Sequence, residues 1–244
     1  MLLRPLLSAA LLLAGVVTAA PLRAAPSLQL LQDALNSSSA EALNAVLEPG
    51  QGLDPAEVGR RRLLLRQQFP DASWRVQPGT PLKDGRATTQ VTVTGSRQEG
   101  PYRFRFEAQQ QLVLGSSGNR FNSQEVIRES SWLRSGDSDL KVSLLIPDAV
   151  LTGQRYDLDV VFDDPLEGAV VAGTIKPVSA GEWLRLQTPD LQLEALGGGG
   201  IFKSAQAPYQ PGSQTWAVLL VHPKGIVAAS KQVRVVADRA ALSF

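Results

Sequence analysis

The chain has 244 residues, of which 43% are hydrophobic and 19% charged, a balance that is typical of folded rather than disordered proteins. The formal net charge is +1, so the chain lacks the broad basic excess that holds a nucleic-acid backbone. It contains no cysteine, which excludes disulfides, thiolate metal sites, cysteine nucleophiles and lipid attachment through a thiol. These features predict one or two globular domains that do not bind nucleic acid.

The N-terminus has the layout of a secretory signal peptide. Arg4 precedes an apolar stretch over residues 6–20. This stretch is shorter than the roughly 20 residues that a bilayer-spanning helix needs, and we expect no membrane span in the mature protein. Small residues permit cleavage before Ala20 or Ala25. We therefore predict a signal peptide over residues 1–24 and export to the periplasm or another extracytoplasmic lumen.

Residues 27–68 have the pattern of three short helices. Three leucines at helical spacing indicate the first: Leu28, Leu31 and Leu35. Ser38, followed by Glu41, is a capping box for a second helix. An N-cap, a first-turn proline and a returning carboxylate predict a third helix up to Gln68: Asp54, Pro55 and Glu57.

From Trp74 onward the hydrophobic period changes to two, which indicates strands. Over residues 102–107, aromatic side chains alternate with charged ones, as expected for a half-buried strand. A three-residue loop over 116–118 predicts a hairpin with a return strand over 120–134. That register would place Tyr102 opposite Trp132, and Arg105 opposite Glu129.

The polar segment 135–139 marks a domain boundary. Beyond it the sequence predicts short strands separated by turns, without helices, as in a β-sandwich. The predicted strands cover residues 142–146, 156–162, 170–175, 191–196, 216–221 and 231–236.

Three helices followed by long curved antiparallel strands resemble the nuclear transport factor 2-like superfamily, over residues 27–136. The run 146–156 is similar to the entry into an immunoglobulin-like β-sandwich of bacterial exported proteins, which would cover residues 139–238. The pair resembles uncharacterised exported proteins, including cyanobacterial ones. The resemblance implies an α+β fold, with helices packed on a cone-shaped antiparallel sheet, followed by the sandwich. The superfamily includes enzymes, ligand carriers and assembly modules, so the fold does not choose a function. Its enzymes usually carry a histidine inside the cone, and residues 27–136 contain none.

Four local patterns have structural explanations. His222 lies in a predicted strand end and turn. The glycine run within 197–204 lacks the glycine before Lys203 that a phosphate loop requires, and we interpret it as an inter-strand loop. Four aspartates lack the spacing of a calcium loop and fit a solvated strand face: Asp157, Asp159, Asp163 and Asp164. Residues Arg60–Arg62 fit a solvated helix face, with an anionic partner surface as the alternative.

One group of side chains has the composition of a small-molecule pocket, with aromatic walls and a few polar groups. Its candidate ligand-binding residues are Trp74, Tyr102, Phe104, Arg105, Glu129 and Trp132. The same aromatic residues would also fit a packed core between sheet and helices, and Arg105 with Glu129 would also fit an outer-face salt bridge. Asp71 and Glu129 are the carboxylates considered for acid–base chemistry, but neither has a visible partner. We assign no catalytic residue, cofactor or metal ligand.

The sequence favours an exported, non-catalytic accessory protein that binds a small ligand or an envelope protein through its first domain. A small-molecule hydrolase or isomerase that uses the cone interior is one alternative. A structural module of an envelope assembly is another. The sequence leaves a homodimer open.

The signal-peptide assignment predicts that protein recovered from its native compartment begins at Ala20 or Ala25. N-terminal sequencing checks this, because small residues before either position fit the specificity of signal peptidase. Native protein that begins mainly at Met1 would refute export.

Overall fold

The computed structural model of the chain describes residues 26–136, 140–163, 166, 168–179, 192–197 and 199–242. The predicted signal peptide lies outside these residues. The described helices are α1 (Leu28–Asn36), α2 (Ala40–Val46), α3 (Pro55–Gln68) and a short 3-10 helix (Arg239–Leu242). The described strands are β1 (Ser73–Pro78), β2 (Thr89–Glu99), β3 (Tyr102–Ser117), β4 (Arg120–Ser135), β5 (Val142–Leu145), β6 (Ala149–Leu151), β7 (Arg155–Phe162), β8 (Ala172–Val178), β9 (Glu194–Ala195), β10 (Gly200–Gln206), β11 (Gly212–His222) and β12 (Gly225–Val236).

The helix predictions from local sequence are confirmed, with one shift. Asp54 caps α3 by accepting a hydrogen bond from the Ala56 N–H (2.9 Å), and Pro55 opens the helix. The cap of α2 is Ser39 rather than Ser38, and its hydroxyl accepts from the Ala42 N–H (3.2 Å). Among the helices in the described ranges, none is long and apolar enough to cross a membrane.

Within the described residues, the strands form a nine-stranded sheet and a three-stranded sheet. The large sheet has the order β1-β2-β3-β4-β12-β11-β8-β9, with β6 added parallel to β12. The small sheet has the order β10-β7-β5. The pairing of β4 with β12 joins strands about a hundred residues apart, from Ile226 opposite Ser135 to Lys231 opposite Ser130.

The described residues form two hydrophobic cores, which lie on opposite faces of the large sheet. Helices α1–α3 pack on one face of β1–β4, where Trp74, Val93 and Phe106 point toward them. The small sheet packs on the other face at the β12 end, over Val227 and Val233. We call the first face of β1–β4 the helix side and the second the cleft side.

The predicted fold class, α+β with a cone followed by a separate immunoglobulin-like sandwich, is wrong. Of the described residues, 54% lie in strands and only 17% in helices, and the dominant element is a large, mainly antiparallel sheet. The physical reason lies at the edge of β4 that does not pair with β3. A cone would curl β3 and β4 around the helices, whereas here that edge pairs with β12 and the sheet continues. The division of the chain at 135–139 stays a prediction.

Side chains of α1 protect the outer edge of β1. The Asn36 amide donates to the Trp74 carbonyl (2.7 Å), and its oxygen accepts from the Trp74 N–H (2.9 Å). Gln32 accepts from the N–H of Val76 in the same way (2.9 Å). These bonds occupy backbone groups that an edge strand would otherwise offer to another chain.

Arg62 corrects the prediction that residues Arg60–Arg62 form a solvated helix face. Its side chain is only 7% exposed and donates to the carbonyls of Ala34 (2.9 Å), Ser37 (2.8 Å) and Ser39 (3.1 Å). Since the last carbonyls of a helix lack intrahelical partners, Arg62 satisfies the end of α1 and holds it against α3. Arg60 is exposed, as predicted.

The substitution Arg62→Met should lower the free energy of unfolding by about 2–4 kcal/mol, because it leaves buried carbonyls without their charged donor. Chemical denaturation measures the change. The matched control is Arg60→Met on the same helix, which should change stability by less than about 0.5 kcal/mol. Equal effects of the two substitutions would contradict the role given to Arg62.

Candidate functional site

The site that the fold creates is an open cleft on the cleft side of the large sheet. Ser96, Arg105 and Arg134 lie directly opposite one another on β2, β3 and β4 and form part of its floor. The segment 140–142 and Asp163 line it from the other side, where the small sheet ends. The Asp163 N–H donates to the Lys141 carbonyl (2.9 Å), which holds this wall together. The cleft has a volume of about 830 Å³.

Charged side chains dominate the lining of the cleft. Because side chains alternate along a strand, Arg103, Arg105 and Glu107 of β3 lie on the same face. Each is about 7 Å along the strand from the next. The remaining charged groups come from other elements. The described charged lining residues are Asp71, Arg103, Arg105, Glu107, Arg134, Lys141 and Asp163.

Asp71 anchors one end of the cleft as a carboxylate. It accepts hydrogen bonds from both the N–H and the hydroxyl of Ser96, each at 2.6 Å, and so ties the start of β1 to β2. The two Ser96 bonds lower the pKa of Asp71, and the charge of Arg103 contributes further in the same direction. A carboxyl held ionised in this way is suited to accepting hydrogen bonds, and not to donating a proton.

Arg134 has a fixed orientation in the cleft. Its guanidinium carbon lies 4.4 Å from the centre of the Trp132 ring, a cation–π contact between two residues on the same face of β4. Trp132 in turn packs against the core between the two sheets. The aromatic ring therefore positions the guanidinium group at the border between the covered and the open part of the sheet.

The structure separates the six predicted ligand-binding residues onto two faces. Trp74 is buried in the core under the helices, where Arg66 lies over its ring. Phe104 is half-buried on the same helix side, beneath Arg97. Tyr102 shares that face by strand alternation, but it lies at the end of β3 and is 57% exposed.

The other predicted residues divide in the same way. Glu129 is on the helix side, opposite Gln110, whereas Arg105 and Trp132 are on the cleft side. The structure therefore places Arg105 in the lining of the cleft and Trp132 on the same face of the sheet, beneath Arg134. It does not bring Arg105 to Glu129, either as a pocket pair or as a salt bridge.

The predicted hairpin register is wrong for two reasons. The turn is Gly118–Asn119, with Ser117 opposite Arg120 and a φ of 60° at Gly118, instead of a loop over 116–118. Two bulges, at Gln111/Leu112 and Gly115/Ser116, then shift the pairing further. The result is Arg105 opposite Arg134, and Glu107 opposite Trp132.

The other sequence patterns are structural where they are described. His222 is buried at the end of β11, and its Nδ1 accepts from the Lys224 N–H (3.1 Å) within the turn. The glycine run leads into β10, which the sequence analysis missed. Asp157 is exposed on β7, and Asp164 lies outside the described residues. In the part of the chain that the structure describes, no three His, Cys, Asp or Glu residues are placed to hold a metal ion.

Sequence reasoning missed Arg103, Glu107, Arg134 and Lys141 as members of one site. The alternation that predicts β3 already places Arg103 and Glu107 on the face of Arg105. Nothing in the local sequence indicates that Arg134 faces them, because this depends on the two bulges. The contribution of residues 140–142 depends on how the small sheet packs.

Residues 137–236 match the model of a family described as a domain of unknown function, DUF8623. No curated protein matches the chain. The matched segment contains β12 and the cleft wall formed by Lys141 and Asp163, whereas Arg103, Arg105 and Arg134 precede it. The cleft therefore combines residues from inside and outside the matched segment.

Glu129 occupies an unfavourable position for a charge. It is partly buried between Gln110 and the helices, and this burial raises the pKa of the carboxyl, although a hydrogen bond from Gln110 and the charge of Arg61 oppose the shift. A carboxyl whose pKa is higher in the folded than in the unfolded chain stabilises the fold fully below the unfolded value of about 4.3. That contribution is lost as the pH rises through the raised pKa.

The substitution Glu129→Gln should therefore raise the free energy of unfolding at neutral pH, and the difference from the parent should vanish below about pH 4. Urea denaturation across this pH range measures both effects. The control Glu194→Gln changes an exposed glutamate on β9 and should have no such effect. A Glu129→Gln variant that is less stable than the parent at neutral pH would contradict the prediction.

Proposed function

We propose that the chain is an exported, non-catalytic binding protein that holds a polar ligand, or a polar segment of an envelope protein, in the cleft beside β3. The observation that supports this proposal is the convergence of charged side chains from separate parts of the chain on one open cleft of about 830 Å³. Its size falls in the range of ligand sites.

The contacts within the cleft favour binding over proton transfer. Asp71 is held ionised by Ser96, and Arg134 is held in place by Trp132. Both groups are ordered before a ligand arrives, which lowers the entropic cost of binding. The enzyme alternative depended on the interior of a cone, which is not the fold of the described residues.

Binding at the cleft can be tested by a photo-crosslinker attached to a single thiol. The natural chain contains no cysteine, so Thr94→Cys introduces a unique attachment point at an exposed residue of the cleft. The matched control is Ser213→Cys, at an exposed position on β11 outside the cleft. Both proteins are expressed with the signal peptide and irradiated in their native compartment.

We expect intact-mass spectrometry to show a discrete adduct on the Thr94→Cys protein and none on the Ser213→Cys protein. The adduct mass separates a small ligand from a protein partner. Equal labelling at both positions, or no adduct at Thr94→Cys, would refute the proposed function.

A further inference from the structure

The small sheet has an open edge beside the cleft. Its strand order is β10-β7-β5, so β5 pairs with β7 on one side, and among the described residues no strand pairs with it on the other. This edge lies at the cleft, because Leu140, Lys141 and Val142 line the cleft opposite its floor. Backbone groups on the open side of β5 are therefore available to another chain.

The N–H and C=O groups of Val142 and Leu144 point to this open side. In an antiparallel ladder, pairs of residues that bond to each other alternate with pairs whose backbone groups point away from each other. The Asp163 N–H donates to the Lys141 carbonyl (2.9 Å), so these two form a pair of the first kind. Val142 and Leu144, one and three residues further along β5, belong to pairs of the second kind. Phe162, opposite Val142, has the same geometry, since its N–H donates to the carbonyl directly before β10 (3.0 Å).

The chain protects the outer edge of β1 but does not protect β5 in the same way. At β1, the side chains of Asn36 and Gln32 bond to backbone groups of the edge strand. Among the described residues, no side chain bonds in this way to the outward backbone groups of Val142 and Leu144. The strand β5 also contains no proline and no charged residue, two common devices against the addition of a strand. Its edge can thus accept a further strand.

The cleft has the position and depth for one added strand. A strand paired with β5 would lie about 4.7–4.9 Å beyond it, over the cleft side of β2–β4. Stacked sheets lie about 10 Å apart, so this face of the large sheet would form the floor under the added strand. The four residues of β5 span about 14 Å, which sets the length of the pairing. The added strand would therefore occupy the cleft.

The same geometry favours a single extended segment over a second copy of this chain. The large sheet continues under the open edge through β4, β3 and β2. Two copies that paired antiparallel through β5 would be related by a two-fold axis. Each copy would then bring its own β2–β4 into the space under the other's edge, where the two large sheets would collide. An extended segment carries no second layer and avoids this collision.

The surroundings of the edge indicate which side chains the segment carries. Those that point to the floor meet charges of both signs, among them Arg103, Glu107 and Arg134. Polar side chains suit this floor, because arginines donate hydrogen bonds and carboxylates accept them. The intervening side chains point outward beside Leu145, which is 60% exposed. An apolar side chain there would remove part of Leu145 from water.

We propose, on the basis of the proposed binding function, that the occupant of the cleft is an extended segment of a partner protein that adds to β5 as a further strand. Its backbone bonds to the N–H and C=O groups of Val142 and Leu144. Its side chains alternate between polar ones that face the floor of the cleft and apolar ones beside Leu145. The backbone pairing supplies affinity, and the side chains supply the choice of partner.

A library of random linear peptides, displayed on phage and selected on the mature protein, supplies the probe. The tightest selected peptide is synthesised, and calorimetry measures its affinity. A series of peptides with one N-methylated backbone amide each then maps the pairing. We expect N-methylation to weaken binding roughly 10-fold to 100-fold at every second residue, because only alternate amides bond to β5. The intervening positions should tolerate it.

The substitution Leu144→Pro tests the same pairing from the side of this chain. It removes the outward N–H but no bond between β5 and β7, a position at which an edge strand tolerates proline. The matched control Leu144→Ala shortens the same side chain and keeps the N–H. The probe should bind Leu144→Pro roughly 10-fold to 100-fold more weakly than Leu144→Ala. Their unfolding temperatures without peptide should be similar, and if Leu144→Pro does not fold, the N-methylated series on the natural chain decides.

Three results would overturn the added strand. They are failure to select any peptide, an N-methylation profile without the period of two, and equal affinity of folded Leu144→Pro and Leu144→Ala for the probe. Self-association of the mature protein that Leu144→Pro abolishes would replace the partner segment with a second copy. If no peptide binds but the crosslinker at Thr94→Cys captures a small molecule, the binding function stands and only the peptide partner fails. If it captures nothing either, both proposals fail.

Discussion

The pairing of β4 with β12 is the interaction on which the rest of this structure depends. It joins a strand that lies under the helices with one that lies under the small sheet, and so makes one sheet from two sequence regions. Because successive side chains of a strand point to opposite faces, the shared sheet supports a core on each side. Leu133 packs toward the helices, whereas Trp132 packs toward the small sheet.

The cleft follows from this arrangement. The small sheet covers the cleft side over β12 but stops near Leu140 and Val142, so the described residues leave the same face of β2–β4 open beyond that point. Side chains on this part of the face are accessible, whereas those a few residues away lie under the small sheet and are buried. This explains why Arg134 lies close to the buried Val227, its direct neighbour on β12, and still lines an open cleft.

The two faces of β3 also carry different electrostatic environments. On the helix side, Glu129 is partly buried beside Gln110, and burial works against its charge. On the cleft side, the charged groups remain exposed enough for water to screen them. Asp71 stays ionised there through the two hydrogen bonds that it accepts from Ser96.

The helices close the other end of the sheet through polar contacts as well as apolar packing. Asn36 and Gln32 occupy the outward-pointing backbone groups of β1, which limits growth of the sheet at that edge. Arg62 reaches from α3 to the end of α1 and satisfies its carbonyls. The short helices thus serve mainly to cover one core and one edge of a structure that is otherwise built from strands.

The sequence by itself determined the elements whose causes are local. Asp54 and Pro55 specify the start of α3, because a capping side chain and a fixed φ act within one turn. The alternation of aromatic and charged residues specifies β3 and the fact that Arg103, Arg105 and Glu107 share a face. The burial of Arg62 was not predicted, since its acceptors lie about 25 residues away.

Only the tertiary structure decided which charged residues meet. Arg134 faces Arg105 because the turn at Gly118 and two bulges together set the register, and a shift by one residue would move Arg134 to the other face. The fold class depended on β4 pairing with β12, which closes a loop of about a hundred residues. No local pattern encodes such a contact, because its free energy comes from backbone pairing and burial that exist only once both strands are in place.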